Sequence, residues 1–247
     1  MTPRILRNTA IILALALQGC SDGSDDPVVT ACTAVTAPAL QACISAASTA
    51  ARACYLGSGK ACENSDPDLL AARDSLENEL RGACADGDFL GLSQDAVVGR
   101  LDNACKAQSD SIAWRSFGGP QGAVLTTASA ADRDCLSTAH ETVTDFFDQS
   151  LAAINDCLGA DSCDATALQQ QQASAAAAAA EAITAACPAL ADLVALEPET
   201  YVANTAEQLD CTMATAHEST APLQPACGPG NVKQMPARGE WEMIVLD

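Results

Sequence analysis

Aromatic residues make up only 3% of this 247-residue chain, and histidine occurs twice. A core with so few rings must be filled by small side chains. Alanine dominates the apolar share, and each buried alanine withdraws little area from water. Hydrophobic stabilisation is therefore thin for a chain of this length. Basic residues are also scarce, with 12 Lys and Arg against 32 Asp and Glu and a formal charge of −20. Such a surface repels phosphate backbones and anionic headgroups, which excludes nucleic acid as a partner and argues against a polybasic membrane face. The chain has no G-x-S-x-G elbow, no C-x-x-C redox pair and no C-x-x-C-H haem site. Leu56-Gly57-Ser58-Gly59-Lys60 lacks the first glycine and the spacing of a phosphate loop. Two histidines leave few choices for a general base.

What is present is cysteine, 13 in all, and an N-terminal address. Arg4 and Arg7 precede an apolar run from Ala10 to Leu17 that is too short to span a bilayer. Leu17-Gln18-Gly19-Cys20 follows directly. This string resembles the lipobox of bacterial lipoproteins, in which the cysteine becomes the acylated first residue of the mature protein. The resemblance covers the lipobox alone. It implies a signal peptide over 1–19, palmitate-type acyl chains on Cys20 and a lipid bilayer as a partner through that residue. Ser21, in the enterobacterial sorting rule that the resemblance brings with it, directs the protein to the outer membrane. Residues 20–31 are acidic and bear Gly and Pro, so they read as a solvated tether. With Cys20 set aside, the remaining cysteines are even in number, as an oxidising compartment favours.

Their spacing carries the structural argument. Cys54 and Cys62 bracket a short loop; Cys32 lies 22 residues before the first, Cys84 22 after the second, and Cys105 21 further on. In the second half Cys135 lies 22 residues before Cys157, Cys163 follows across another short loop, and Cys187 and Cys211 come at steps of 24. One order of gaps occurs twice, which we read as an internal duplication joined near Gly118-Gly119-Pro120-Gln121-Gly122. Twenty-two helical residues rise about 33 Å. Two antiparallel helices of that length therefore bring cysteines together at both ends of a hairpin. The loop ends pair Cys54–Cys62 and Cys157–Cys163; the open ends pair Cys32–Cys84 and Cys135–Cys187. Ser93 opens a third helix that lifts Cys105 about 18 Å, and Cys43 stands about 16 Å up the first helix, so these two pair. Phe146 occupies the place of Cys43 in the second unit, which leaves Cys211 for Cys227. Each bridge contributes about 2–4 kcal/mol, less where the closed loop is short.

Local signals support these helices. Asp66-Pro67 is an N-cap followed by proline at the first helical position, and Pro198 opens the third helix of the second unit. The Gln- and Ala-rich tract from Leu168 to Ala186 is made of strong helix formers. Pro38 predicts that the first helix proper starts near Ala37, with Cys32 on a kinked lead-in.

Candidate chemistry is sparse. Ala139-His140-Glu141 echoes Ala216-His217-Glu218, and these four polar side chains are the sharpest metal hypothesis. The hairpin geometry puts the two histidines about 7 and 28 Å up the bundle, so we expect two ordinary, partly exposed histidines and no metal site. Asp86-Gly87-Asp88 reads as an inter-helix turn and not as a calcium loop. Trp114-Arg115-Ser116-Phe117 gathers residue types common at interfaces, so Trp114, Arg115 and Phe117 are the candidate partner-binding residues. The competing reading packs them onto the junction between units. The tail ending in Trp241-Glu242-Met243-Ile244-Val245-Leu246 could dock as a strand-like segment or stay free.

The expectation is an all-α protein of two homologous disulfide-stapled three-helix units, over 32–117 and 132–227. A linker at 118–131 joins them, and a tail covers 228–247. The expected function is a non-enzymatic cell-envelope lipoprotein presenting a rigid helical scaffold, with no catalytic residue, no cofactor and a protein partner that no motif identifies. The alternatives are an accessory or catalytic subunit of a secreted hydrolase, and a metal-binding lipoprotein.

Overall fold

The computed structural model describes residues 31–160, 162–227, 232–234 and 244–246. Cys20, the lipobox and most of the tether lie outside these residues, as do Trp241 and most of the tail.

The protein is all-α. Helix α1 runs Ala31–Ser58, α2 Pro67–Ala83 and α3 Gln94–Phe117; a 3-10 turn at Ala123–Thr126 leads to α4 Ala130–Gly159, α5 Ala165–Ala186, the short α6 Leu190–Val194 and α7 Pro198–Ala216. Two three-residue strands, β1 Val232–Gln234 and β2 Ile244–Leu246, pair antiparallel.

Caps written in the sequence set these boundaries. Asp66 accepts from the N–H groups of Asp68 and Leu69 at 3.1 Å each, ahead of Pro67. Asp164 does the same for Thr166 and Ala167 at the matching place in the second hairpin. Ser129 and Asp132 form a reciprocal capping box on α4. Gly118, with φ 85°, ends α3 in the left-handed conformation that favours glycine. The carboxylates of Asp86 and Asp88 accept from the N–H groups of Gln94 and Ala85, so they hold the α2–α3 turn together.

The first helix differs from expectation. It starts at Ala31 and passes straight through Pro38. Ala34 and Pro38 both lie on the exposed face, where water can take the place of the missing donor, and the buried Cys32 is tied to Cys84. By length and composition α1 could also cross a membrane. Half of that stretch is buried against other helices, however, and its three cysteines are all bridged.

Six disulfides join Cys32–Cys84, Cys43–Cys105, Cys54–Cys62, Cys135–Cys187, Cys157–Cys163 and Cys211–Cys227. The α1–α2 and α4–α5 hairpins are each closed at both ends, and each open-end bridge spans 52 residues. Phe146 is buried where α1 carries Cys43. Helices α1, α2 and α3 pack together, as do α4, α5 and α7, and the two sets meet along α1–α4, α3–α4 and α3–α7. Both contribute to one continuous hydrophobic core. Polar contacts tie the sets together. Thr36 donates to the carbonyl of Ala216 at 2.8 Å and Arg100 to that of Thr215 at 3.1 Å, so donors of the first set cap the C-terminal end of α7. Arg52 meets Glu141 at 2.6 Å. Gln41 bonds both Asp148 and Asn155, and Asn155 in turn meets His217.

Candidate functional site

The Trp114–Phe117 string forms the last turn of α3, and the structure splits it between two environments. Arg115 and Phe117 are fully buried, so they are corrected from candidate partner contacts to interior residues. The reason is their position where α3 meets α4 and α7. Phe117 stacks on Tyr55 of α1 at 4.7 Å between ring centroids and on His140 of α4 at 5.3 Å. Arg115 reaches α7, where Nη2 donates to Thr205 Oγ1 at 2.9 Å and to Gln208 Oε1. Gln208 passes the chain on to Gln108 at 2.7 Å, and Ser116 meets the Tyr201 hydroxyl at 2.5 Å. No carboxylate hydrogen-bonds Arg115 among the described residues, and its Nε and Nη1 lack partners there. Burial pulls the guanidinium down to about 10 and pushes Tyr201 up to about 12.

The histidines also part company. His140 is 1% exposed, contrary to the expected partial exposure, because its face of α4 turns inward onto Phe117. Neither ring nitrogen has a hydrogen-bond partner among the described residues, and burial, with Arg52 and Arg115 nearby, lowers it to about 3. His217, half-buried, contacts Asn155 at 2.9 Å and is lowered to about 4 by burial. Glu141 is engaged by Arg52, and Glu218 accepts from the N–H of Leu90 at 2.6 Å. The four residues of the metal hypothesis thus sit in separate networks. A second cluster, Cys54, Cys62 and Asp66, has its ligand atoms within 4.8 Å of one another. Its two sulfurs are joined in a disulfide, so no thiolate is available to a metal.

Trp114 alone of the three faces a cavity. It is half-buried, and its indole N–H is buried without a partner among the described residues. The cavity has a volume of about 170 Å³ and lies among α1, α2, α3 and the loops at Cys62 and Pro120. Ala47, Ala51 and Tyr55, one face of α1, make one wall, with Leu69 of α2 beside them. Lys106 and Asp110 of α3, paired at 2.6 Å and both partly exposed, add one charge of each sign. Tyr55 donates its hydroxyl to the carbonyl of Gly119 at 2.9 Å, and the N–H of Ala61 bonds the carbonyl of Pro120 at 2.9 Å, which fixes the two loops. Burial, with Asp110 adding to it, pushes the Tyr55 hydroxyl well above its ordinary range, so it stays a neutral donor. Spacing reveals none of this cavity, because it exists where alanines leave volume unfilled.

No protein-family model, curated protein or solved structure matches the chain.

Proposed function

We propose that this chain is a non-enzymatic cell-envelope lipoprotein, held on the outer membrane by acyl chains on Cys20, that offers a rigid helical scaffold to a binding partner. The observation that carries this reading is a frame cross-linked by six disulfides that keeps His140, Arg115 and every described cysteine from reacting, while His217 stays partly exposed. His140, Arg115, Tyr55 and Tyr201 are fully buried, and all twelve cysteines among the described residues are bridged. Acid–base or nucleophilic catalysis needs such groups to reach a substrate. The surface and the Trp114 cavity are what this frame can offer another molecule. Six disulfides fit an oxidising, extracytoplasmic compartment, which supports the export that the Leu17–Cys20 string implies.

Expression of the full chain in a bacterium with lipoprotein processing tests this directly. Mass spectrometry of the mature N-terminal peptide should find Cys20 acylated, and Cys20→Ala should move the protein from the membrane fraction to the soluble periplasm. A mature protein with an unmodified Cys20 that leaves the membrane in low-detergent buffer contradicts the reading.

A further inference from the structure

We infer that Cys54, Cys62 and Asp66 form a redox-gated zinc site, closed to metal while the disulfide stands and opened when a dithiol reduces it. The inference goes beyond the scaffold reading, which describes the fully oxidised frame.

Access to the sulfurs comes first. The cysteines of the four other bridges are buried, whereas both ends of Cys54–Cys62 and of Cys157–Cys163 are half-buried. Cys54 and Cys62 also line an open groove of about 560 Å³. Thiol–disulfide exchange needs a sulfur that the attacking thiolate can reach. A dithiol reductant, small or protein-borne, therefore meets the two loop bridges before the rest. One thiolate of the dithiol attacks a bridge sulfur and expels the other as a thiolate. The second thiol of the reductant then displaces the cysteine it holds and closes the reductant's own disulfide. Two electrons pass to the protein, which gains two thiols.

Ligand geometry selects the first of the two loops. Asp66 commits Oδ1 to capping α2, where it accepts from Asp68 and Leu69, and its Oδ2 lies 3.5 Å from Cys54 Sγ. Zn–S bonds of about 2.3 Å and Zn–O bonds of about 2.0–2.2 Å put neighbouring ligand atoms of a tetrahedron about 3.5–3.8 Å apart. The carboxylate thus already stands at ligand spacing from Cys54, and the two sulfurs and a carboxylate oxygen all lie within 4.8 Å of one another. Cys62 Sγ is 3.4 Å from the carbonyl of Ala50, so a thiol at either position has an acceptor in place before metal arrives. Among the described residues, Cys157 and Cys163 have no third ligand at such spacing.

The loop is also held independently of the bridge. The N–H groups of Gly59, Ala61 and Asp66 donate to the carbonyls of Tyr55, Pro120 and Glu63, each at 2.9 Å. Two thiolates favour a soft or borderline cation and the carboxylate a harder one, a mixture that suits Zn²⁺. Zn²⁺ displaces both thiol protons to solvent, and a water from the groove takes the fourth position. The formal charge of −20 draws cations towards the surface.

The test uses the intact chain in detergent, reduced with a limiting amount of dithiothreitol and freed of it by anaerobic gel filtration. Alkylation and peptide mapping should find Cys54, Cys62, Cys157 and Cys163 labelled while the buried bridges stay closed. Zn²⁺ titrated against a chromophoric chelator should then bind at a single site per chain, and should protect Cys54 and Cys62 from alkylation but not Cys157 and Cys163. The oxidised chain should not compete with the chelator. Asp66→Asn keeps a capping oxygen and loses the charge, so it should weaken zinc binding at least about tenfold with helicity unchanged. Joint replacement of Cys157 and Cys163 by serine should leave binding unaltered. Equal zinc binding by the oxidised chain, or equal alkylation of all four thiols with and without zinc, overturns the site. Unchanged affinity in Asp66→Asn removes the carboxylate from it, and opening of the buried bridges before Cys54–Cys62 overturns the gate. None of these results touches the anchoring, which stands or falls on acylation of Cys20.

Discussion

Arg115 is a charge taken wholly out of water whose hydrogen bonds and ring contact go to three neutral groups, Thr205, Gln208 and the Tyr201 ring, while Glu207 adds a smaller coulombic attraction. Desolvating a cation costs several kcal/mol, and replacing such a group with an apolar side chain of similar length is often neutral or stabilising. We therefore expect Arg115→Met to change unfolding stability by less than about 1 kcal/mol, and Arg115→Ala to lose about 3 kcal/mol through the void it leaves, both read from urea unfolding curves. His140 gives a pH dependence of definite sign. Its folded value of about 3 lies below the ordinary 6.5, so the neutral ring is favoured by the fold. Above 6.5 both states are neutral and there is no effect. As pH falls from 6.5 toward 3 the unfolded chain takes up the proton first, and stability is lost at up to about 1.4 kcal/mol per pH unit. Between pH 6.5 and 4.5 the unaltered protein should lose about 2 kcal/mol more than His140→Phe, measured as the difference between their denaturation midpoints. A parallel pair of pH profiles would remove the histidine from the account. These burials were not readable beforehand. Polar residues such as Gln108, Ser109, Ser111 and Ser116 of α3 and Thr144 and Ser150 of α4 occupy buried positions, so the pattern of apolar residues does not say which way Arg115, Phe117 or His140 turns.

At the scale of elements, the frame is set by helix rise and by what closes each end. The heights of Cys43 and Cys105 follow from 1.5 Å per residue, and the structure joins them across α1 and α3. Asp66-Pro67, Ser93 and Pro198 mark helix starts in the sequence and open α2, α3 and α7. The uninterrupted α1 was not legible, since Pro38 signals a break that its exposed position tolerates. Nor was α6, a five-residue turn that depends on the packing of Leu190 and Val194 in the core. Loop length should grade the bridges. Removing Cys43–Cys105, which closes 62 residues, should cost about 4 kcal/mol, and removing Cys54–Cys62, which closes 8, about 2.5 kcal/mol, compared as double Ala variants by thermal unfolding. The segment after α3 offers a sharper comparison. Gly119 and Gly122 both have positive φ, yet a Cβ on Gly119 meets open space and one on Gly122 runs into the carbonyl of Gly59. Gly119→Ala should cost about 1 kcal/mol, and Gly122→Ala more than 2 kcal/mol because the α1–α2 loop must also shift.

At the scale of the whole molecule, disulfides do what a ring-poor core cannot, and the surface is left acidic and free for solvation. The two hairpins are alike, each with a 52-residue bridge and an Asp cap after the loop. The two sets nevertheless share one core, with α7 capped by Thr36 and Arg100. We expect a single cooperative unfolding transition, with tryptophan fluorescence and far-UV circular dichroism coinciding. The central claim is that an acylated cysteine anchors a frame in which every other cysteine is bridged within its own half. A non-reducing peptide map of the protein purified from cell envelopes measures all of this at once. It should return a lipid-modified Cys20 and six linked pairs, with Cys43 bound to Cys105 and no link between a cysteine before Gly118 and one after it. A free thiol at Cys43 or Cys105, or any bridge between the halves, would contradict the account.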